Sequence, residues 1–126
     1  MGDRYRHFFI DEFQDTSVLQ WKNLIPLVDN ALSSEENGVA GTLMLVGDPK
    51  QAIYRWRGGK AEQFISLSKD ENPFSNKDKK TIVLDTNYRS YSEVIDFNND
   101  FFRFISSKLE NPDYVDLYLN NSHQNK

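Results

Sequence analysis

A short apolar run, Phe8-Phe9-Ile10, stops abruptly at two adjacent carboxylates, Asp11 and Glu12. Unbroken apolar runs of this length mark strands buried on both faces. Asp15, Thr16 and Ser17 are helix N-cap residue types. Beyond them Val18, Trp21, Leu24, Ile25, Val28, Ala31 and Leu32 recur at three- and four-residue spacing, which predicts an amphipathic helix. Pro26 lies inside it and is expected to kink it. A polar loop from Ser33 to Gly41 leads to a second apolar run, Thr42 to Gly47. Residues 48–60, "DPKQAIYRWRGGK", follow neither the strand nor the helix period. Ala61 to Ser68 predicts a short helix, Lys69 to Lys80 a charged surface loop, and Thr81 to Leu84 a third strand. Ser90 and Glu93 have capping-box spacing at the head of a helix carrying Val94, Ile95, Phe97, Asn98, Phe101, Phe102, Ile105 and Leu109. The closing "NNSHQNK" is polar and expected to be disordered.

Strands alternating with helices predict an α/β fold on a parallel sheet. Ligands of such sheets sit beyond the carboxyl ends of the strands. The three runs end in "DE" at 11–12, "GD" at 47–48 and "DTNYR" at 85–89, so each is expected to deliver polar residues to one edge.

Composition narrows the chemistry. The 126 residues suffice for one modest core. There is no cysteine, which excludes disulfides and thiolate metal sites and fits a cytoplasmic protein. No apolar run approaches membrane-spanning length, so no membrane association is expected. The net charge of −4 leaves any nucleic-acid contact to a local patch.

Each polar segment has a plain reading and a functional one. Asp11 and Glu12 could simply cap the next helix. They also suit a magnesium-nucleotide site, where one carboxylate holds Mg²⁺ through its water shell and the next orients or deprotonates water. Gln51 can hydrogen-bond a γ-phosphate. Tyr54, Arg55, Trp56 and Arg57 could be core aromatics with snorkelling arginines. Interleaved on an irregular segment, they equally make a stacking platform for single-stranded bases. Tyr88 and Arg89 could be an ordinary surface pair, or could stack on an adenine and fork onto a phosphate.

In chain order, "FIDEFQDTS", "LVGDPKQAIYRWRGG" and "LDTNYRS" resemble motifs II, III and IV of the superfamily 1 DNA helicases of the UvrD/Rep type. The middle segment leans toward the RecB/AddA-like helicase-nucleases of recombination and repair. The resemblance runs from about Arg6 to about Phe102. It implies a partial RecA-like (P-loop NTPase) sheet. Residues 1–80 would be the C-terminal part of a first motor domain and 81–118 the start of a second, with 119–126 a polar tail. It implies ATP and Mg²⁺ as cofactors, and single-stranded DNA and duplex junctions as partners, with a further subunit if the helicase-nuclease likeness extends so far. By the same resemblance Asp11 would coordinate Mg²⁺ through water and Glu12 would activate the hydrolytic water. Gln51 would couple the γ-phosphate to the DNA track. Tyr54 and Trp56 would stack on bases with support from Arg57. Tyr88 would stack on the adenine, and Arg89 would act as arginine finger.

The family's phosphate loop, G-x-x-x-x-G-K-S/T, does not occur in these residues. At the one "GK", Gly59-Lys60, Tyr54 stands at the earlier glycine position and Ala61 at the Ser/Thr position. The expectation is therefore a middle piece of a larger motor, inactive by itself. One alternative is a non-enzymatic module that keeps only the DNA-contact segment. A weaker one is a metal-dependent nuclease using Asp11, Glu12 and Asp15.

Overall fold

The computed structural model describes residues 5–36, 38–120 and 122–126. It divides into two compact units, Met1–Lys80 and Thr81–Lys126.

In the first unit, β1 (His7–Ile10) and β4 (Thr42–Leu45) pair in parallel, with Phe8 opposite Leu43 and Ile10 opposite Leu45. The crossover between them contains α1 (Val18–Ser33) and a two-residue hairpin of β2 (Glu35–Glu36) and β3 (Val39–Ala40). This is the expected arrangement of the two apolar runs. The expectation of burial on both faces is corrected. Phe8, Ile10, Leu43 and Leu45 face the core, whereas Phe9 and Met44 on the other face are exposed. A strand's side chains alternate between faces, and among the described residues only one face of this two-stranded sheet is covered.

Helix α1 begins at a capping box. Ser17 Oγ accepts from Gln20 N (3.2 Å) and Gln20 Oε1 accepts from Ser17 N (2.9 Å). The helix runs through Pro26 to Ser33. Its inner stripe sets Trp21 and Val28 against Phe13 and Leu67, with Leu67 supplied by α2 (Ala61–Ser68). Phe13 and Trp21 meet edge to face at 4.9 Å between ring centroids. The charged loop after α2 is not purely a surface loop. Phe74 is buried against Trp21 at 5.8 Å, while the Asp29 carboxylate accepts from Ser75 N and Oγ. Lys79 Nζ donates to the carbonyls of Leu67 and Glu71 near the end of α2, where the helix dipole favours a cation.

The Ser17 cap also gives a measurable expectation. Replacing it by alanine should cost about 1 kcal/mol of unfolding free energy, read from urea melts at unchanged slope.

The second unit packs α3 (Ser92–Ser106) against α4 (Pro112–Asn120). Ile95 and Leu117 are its buried apolar residues, and Phe102 stacks on Tyr118 at 5.4 Å. Three expectations are corrected here. Thr81–Leu84 forms no strand. Ile82, Val83 and Leu84 are exposed, and among the described residues no strand lies beside them to complete a ladder. The ladder-like contact falls later, where Asn125 N donates to the Asp85 carbonyl and Asn87 N donates to the Asn125 carbonyl. The Ser90–Glu93 capping box does not form either. Asn87 Oδ1 takes the amides of Arg89 and Ser90, and Tyr91 is the N-cap. Glu93 is held below its ordinary carboxylate value by its own backbone N–H and by the Ser92 hydroxyl. Finally, the residues expected to be a loose tail carry structure. Leu119 belongs to α4, and Gln124 is hydrogen-bonded to Asn87 and Asn99.

Candidate functional site

In the first unit the carboxyl ends of β1 and β4 lie side by side. The ladder continues one step past both strands, with Val46 N donating to the Ile10 carbonyl and Phe13 N to the Val46 carbonyl. Asp11 and Glu12 sit in that step, both exposed. Glu12 is in the left-handed region (φ 51°, ψ 39°), the one described non-glycine residue that is. Asp11 Oδ1 accepts the Glu12 amide at 2.9 Å, a local bond that supports this turn. Such a conformation costs of order 1 kcal/mol outside glycine and re-aims the side chain that follows a strand.

Across the edge, Asp48 caps the 3-10 turn Pro49–Gln51. Its Oδ1 accepts Lys50 N at 3.0 Å, and its Oδ2 accepts Gln51 Nε2 at 3.1 Å. Between Glu12 and Asp48 lies a residue that sequence reasoning missed. Gln14, 1% exposed, donates Nε2 to Glu12 Oε2 (2.5 Å) and accepts the Asp48 amide at Oε1 (3.1 Å). Glu12, Gln14, Asp48 and Gln51 thus form one hydrogen-bonded line across both strand ends.

The donor set suits magnesium held through water. Asp11 spends one oxygen on the Glu12 amide and is otherwise open, and Mg²⁺ on phosphates needs only one or two protein carboxylates. Among the described residues no three His, Asp or Glu side chains converge to hold a metal.

The second cluster follows three residues after Gln51, on the 3-10 turn Arg55–Arg57. Trp56 is 73% exposed and Tyr54 37%, with ring centroids 6.2 Å apart. The Arg57 guanidinium lies 4.4 Å over the Trp56 ring and 5.6 Å from the Tyr54 ring. Arg55 is instead ion-paired with Glu62 of α2. Gly58 closes the turn at φ 85°, a conformation that favours glycine, and its carbonyl accepts Val18 N at 3.4 Å. The turn is therefore pinned to the start of α1 while its aromatic side faces out.

Tyr88, 91% exposed, and the exposed Arg89 belong to the second unit, on the loop organised by Asn87. No described helix is long and apolar enough to cross a membrane.

Comparison with known proteins adds the family. The UvrD/REP helicase N-terminal domain matches residues 1–72, a span that contains both clusters of the first unit and ends before "LDTNYRS". The chain is 34% identical over 112 residues to the RecBCD enzyme subunit RecB of Chlamydia muridarum, covering 89% of this chain and 10% of that protein. It is 34% identical over 106 residues to DNA helicase II of Haemophilus influenzae, covering 84% and 12%. It is 35% identical over 100 residues to an ATP-dependent helicase/nuclease protein of Bacillus pumilus, covering 79% and 8%. The chain thus spans about a tenth of the length of these relatives. With a match over more than half its residues, the chain belongs to the UvrD/REP helicase family.

Proposed function

We propose that this chain is the part of an ATP-driven DNA helicase that joins nucleotide hydrolysis to the grip on single-stranded DNA. The observation that carries the reading is the short path between the two clusters of the first unit. Gln51 ends one 3-10 turn, and Tyr54 leads into the next, which bears Trp56 and Arg57. A displacement of Gln51 by a γ-phosphate has three residues of chain to cross before it moves a base-stacking platform.

In this reading the sheet is a partial RecA-like sheet, and the three matching segments act as motifs II, III and IV. Asp11 holds a magnesium-bound water, Glu12 orients and deprotonates the attacking water, and Gln51 contacts the γ-phosphate. Tyr54 and Trp56 stack on bases, with Arg57 placed for phosphates. Tyr88 and Arg89 of the second unit serve the adenine and the transferring phosphoryl group. The phosphate loop is supplied outside these residues. The substrates are ATP, single-stranded DNA and duplex junctions, in repair or recombination in the cytoplasm. The likeness to RecB and to the Bacillus pumilus helicase/nuclease supports a partner subunit. The exposed aromatic turn by itself also fits a module that only contacts DNA, and turnover separates the two.

The test uses the polypeptide in which this segment continues upstream into a phosphate loop. Its steady-state ATPase should rise at least tenfold on adding oligothymidine. ATP turnover indifferent to single-stranded DNA, or none at all, would overturn the reading.

A further inference from the structure

Gln14 has no part in the roles proposed so far, yet among the described residues of the first unit it is the most enclosed polar one. Its surroundings explain why a carboxamide stands there. On one side is the Glu12 carboxylate, which can only accept. On the other is the Asp48 amide, which can only donate. One side chain satisfies both only if it donates at one end and accepts at the other, which fixes the orientation of the Gln14 amide. A glutamate would set two carboxylates against each other. A methionine or leucine would leave both partners unmet, and an asparagine is one methylene shorter.

A second, independent feature shows the fit. A Cβ at Gly47 would fall 2.3 Å from Gln14 Oε1 and 3.1 Å from Phe13 N. The backbone of the β4 end has closed onto the carboxamide, and glycine at 47 leaves room for it.

We infer that Gln14 is a positioning residue, a carboxamide bridge that fixes the Glu12 carboxylate relative to Asp48 and, through Asp48 Oδ2, aims the Gln51 amide. The Glu12 end is charge-assisted, so its bond is stronger than a neutral one. Bonds in series polarise one another, and the central member, Gln14, is buried. A change of charge at Glu12 therefore reaches Gln51 along a line of three hydrogen bonds, the middle one donated by the Asp48 backbone amide. That this line times hydrolysis rests on the roles proposed for Glu12 and Gln51; the bridge itself does not.

The test is nuclear magnetic resonance on the 126-residue chain labelled with ¹⁵N and ¹³C, without nucleotide. In the unsubstituted chain a through-hydrogen-bond scalar coupling should connect the Asp48 amide nitrogen to Gln14 Cδ. Glu12→Gln should shift the Asp48 amide and the Gln51 side-chain NH₂ resonances, and the shift should vanish when Glu12→Gln is made in a Gln14→Met background. Equal shifts with and without Gln14, or no coupling to Gln14 Cδ, would overturn the inference. If Gln14→Met does not fold, the coupling in the unsubstituted chain decides alone. Because no nucleotide is present, a failure here leaves the ATPase reading standing, and a failed ATPase assay leaves the bridge standing.

Discussion

If the proposed phosphate loop is supplied by a longer polypeptide, Glu12→Gln placed in it is expected to lower kcat for ATP hydrolysis by roughly 10²–10⁴-fold, the usual range for losing a positioned general base. KM for ATP should stay within a few-fold, because Glu12 acts on the water and not on the bound triphosphate. Gln at 12 preserves the volume and can still accept the Gln14 amide, so the loss would report on charge and basicity at one position. The 126-residue chain alone should bind ATP weakly and turn over none. It lacks the backbone donors and lysine that cradle the phosphates, so nothing holds a γ-phosphate against Glu12. The measurement is a coupled steady-state assay on both polypeptides, each with and without the substitution. Less than a tenfold loss in the long polypeptide would remove Glu12 from the catalytic role, and Glu12-dependent turnover by the short chain would overturn the expectation that these residues alone are inactive.

How far the sequence showed this arrangement depends on whether the signal was local. β1 and β4 were visible because each is an apolar run ended by polar residues, and α1 because seven apolar positions share one helical stripe. The span predicted for α2, Ala61–Ser68, is the span observed. For Trp56 the sequence left a core and a stacking reading level, and its exposure excludes the core one. What stayed hidden depends on partners distant in sequence. Phe74 looked like one apolar residue in a charged loop, and only the position of Trp21 makes it core. Gln14 is meaningful only once Gly47 and Asp48 are known to lie against it, 34 residues away in the case of Asp48. Thr81–Leu84 shows the opposite failure. Its residues have high strand propensity, but a ladder needs a neighbour, and among the described residues none is there. Helix α4 was not predicted, although Pro112 stands at its first position and Tyr114, Val115, Tyr118 and Leu119 have helical spacing.

Trp56→Ala is expected to weaken binding of oligothymidine to the 126-residue chain roughly 5- to 150-fold while leaving its melting curve in place. Stacking on one aromatic contributes about 1–3 kcal/mol per base, and each 1.4 kcal/mol is about a factor of ten. Trp56 stands out from its turn with Arg57 over one face of the indole, so a base has to take the other face or displace the guanidinium. Arg57 thereby holds the ring in place and keeps a cation beside an arriving phosphate. With a net charge of −4 and few cations at the turn, affinity should be weak even in the unsubstituted chain, with a shallow dependence on salt. The two tryptophans make the measurement direct. Trp21 is buried and should emit to the blue, and Trp56 is exposed and should emit to the red, so DNA should quench the red component. Core placement of Trp21, not of Trp56, also explains why the alanine variant at 56 should fold. If Trp56→Ala lowers the melting temperature as a core truncation would, or leaves oligothymidine affinity unchanged, the stacking assignment fails, and Tyr54 and Arg57 lose theirs with it.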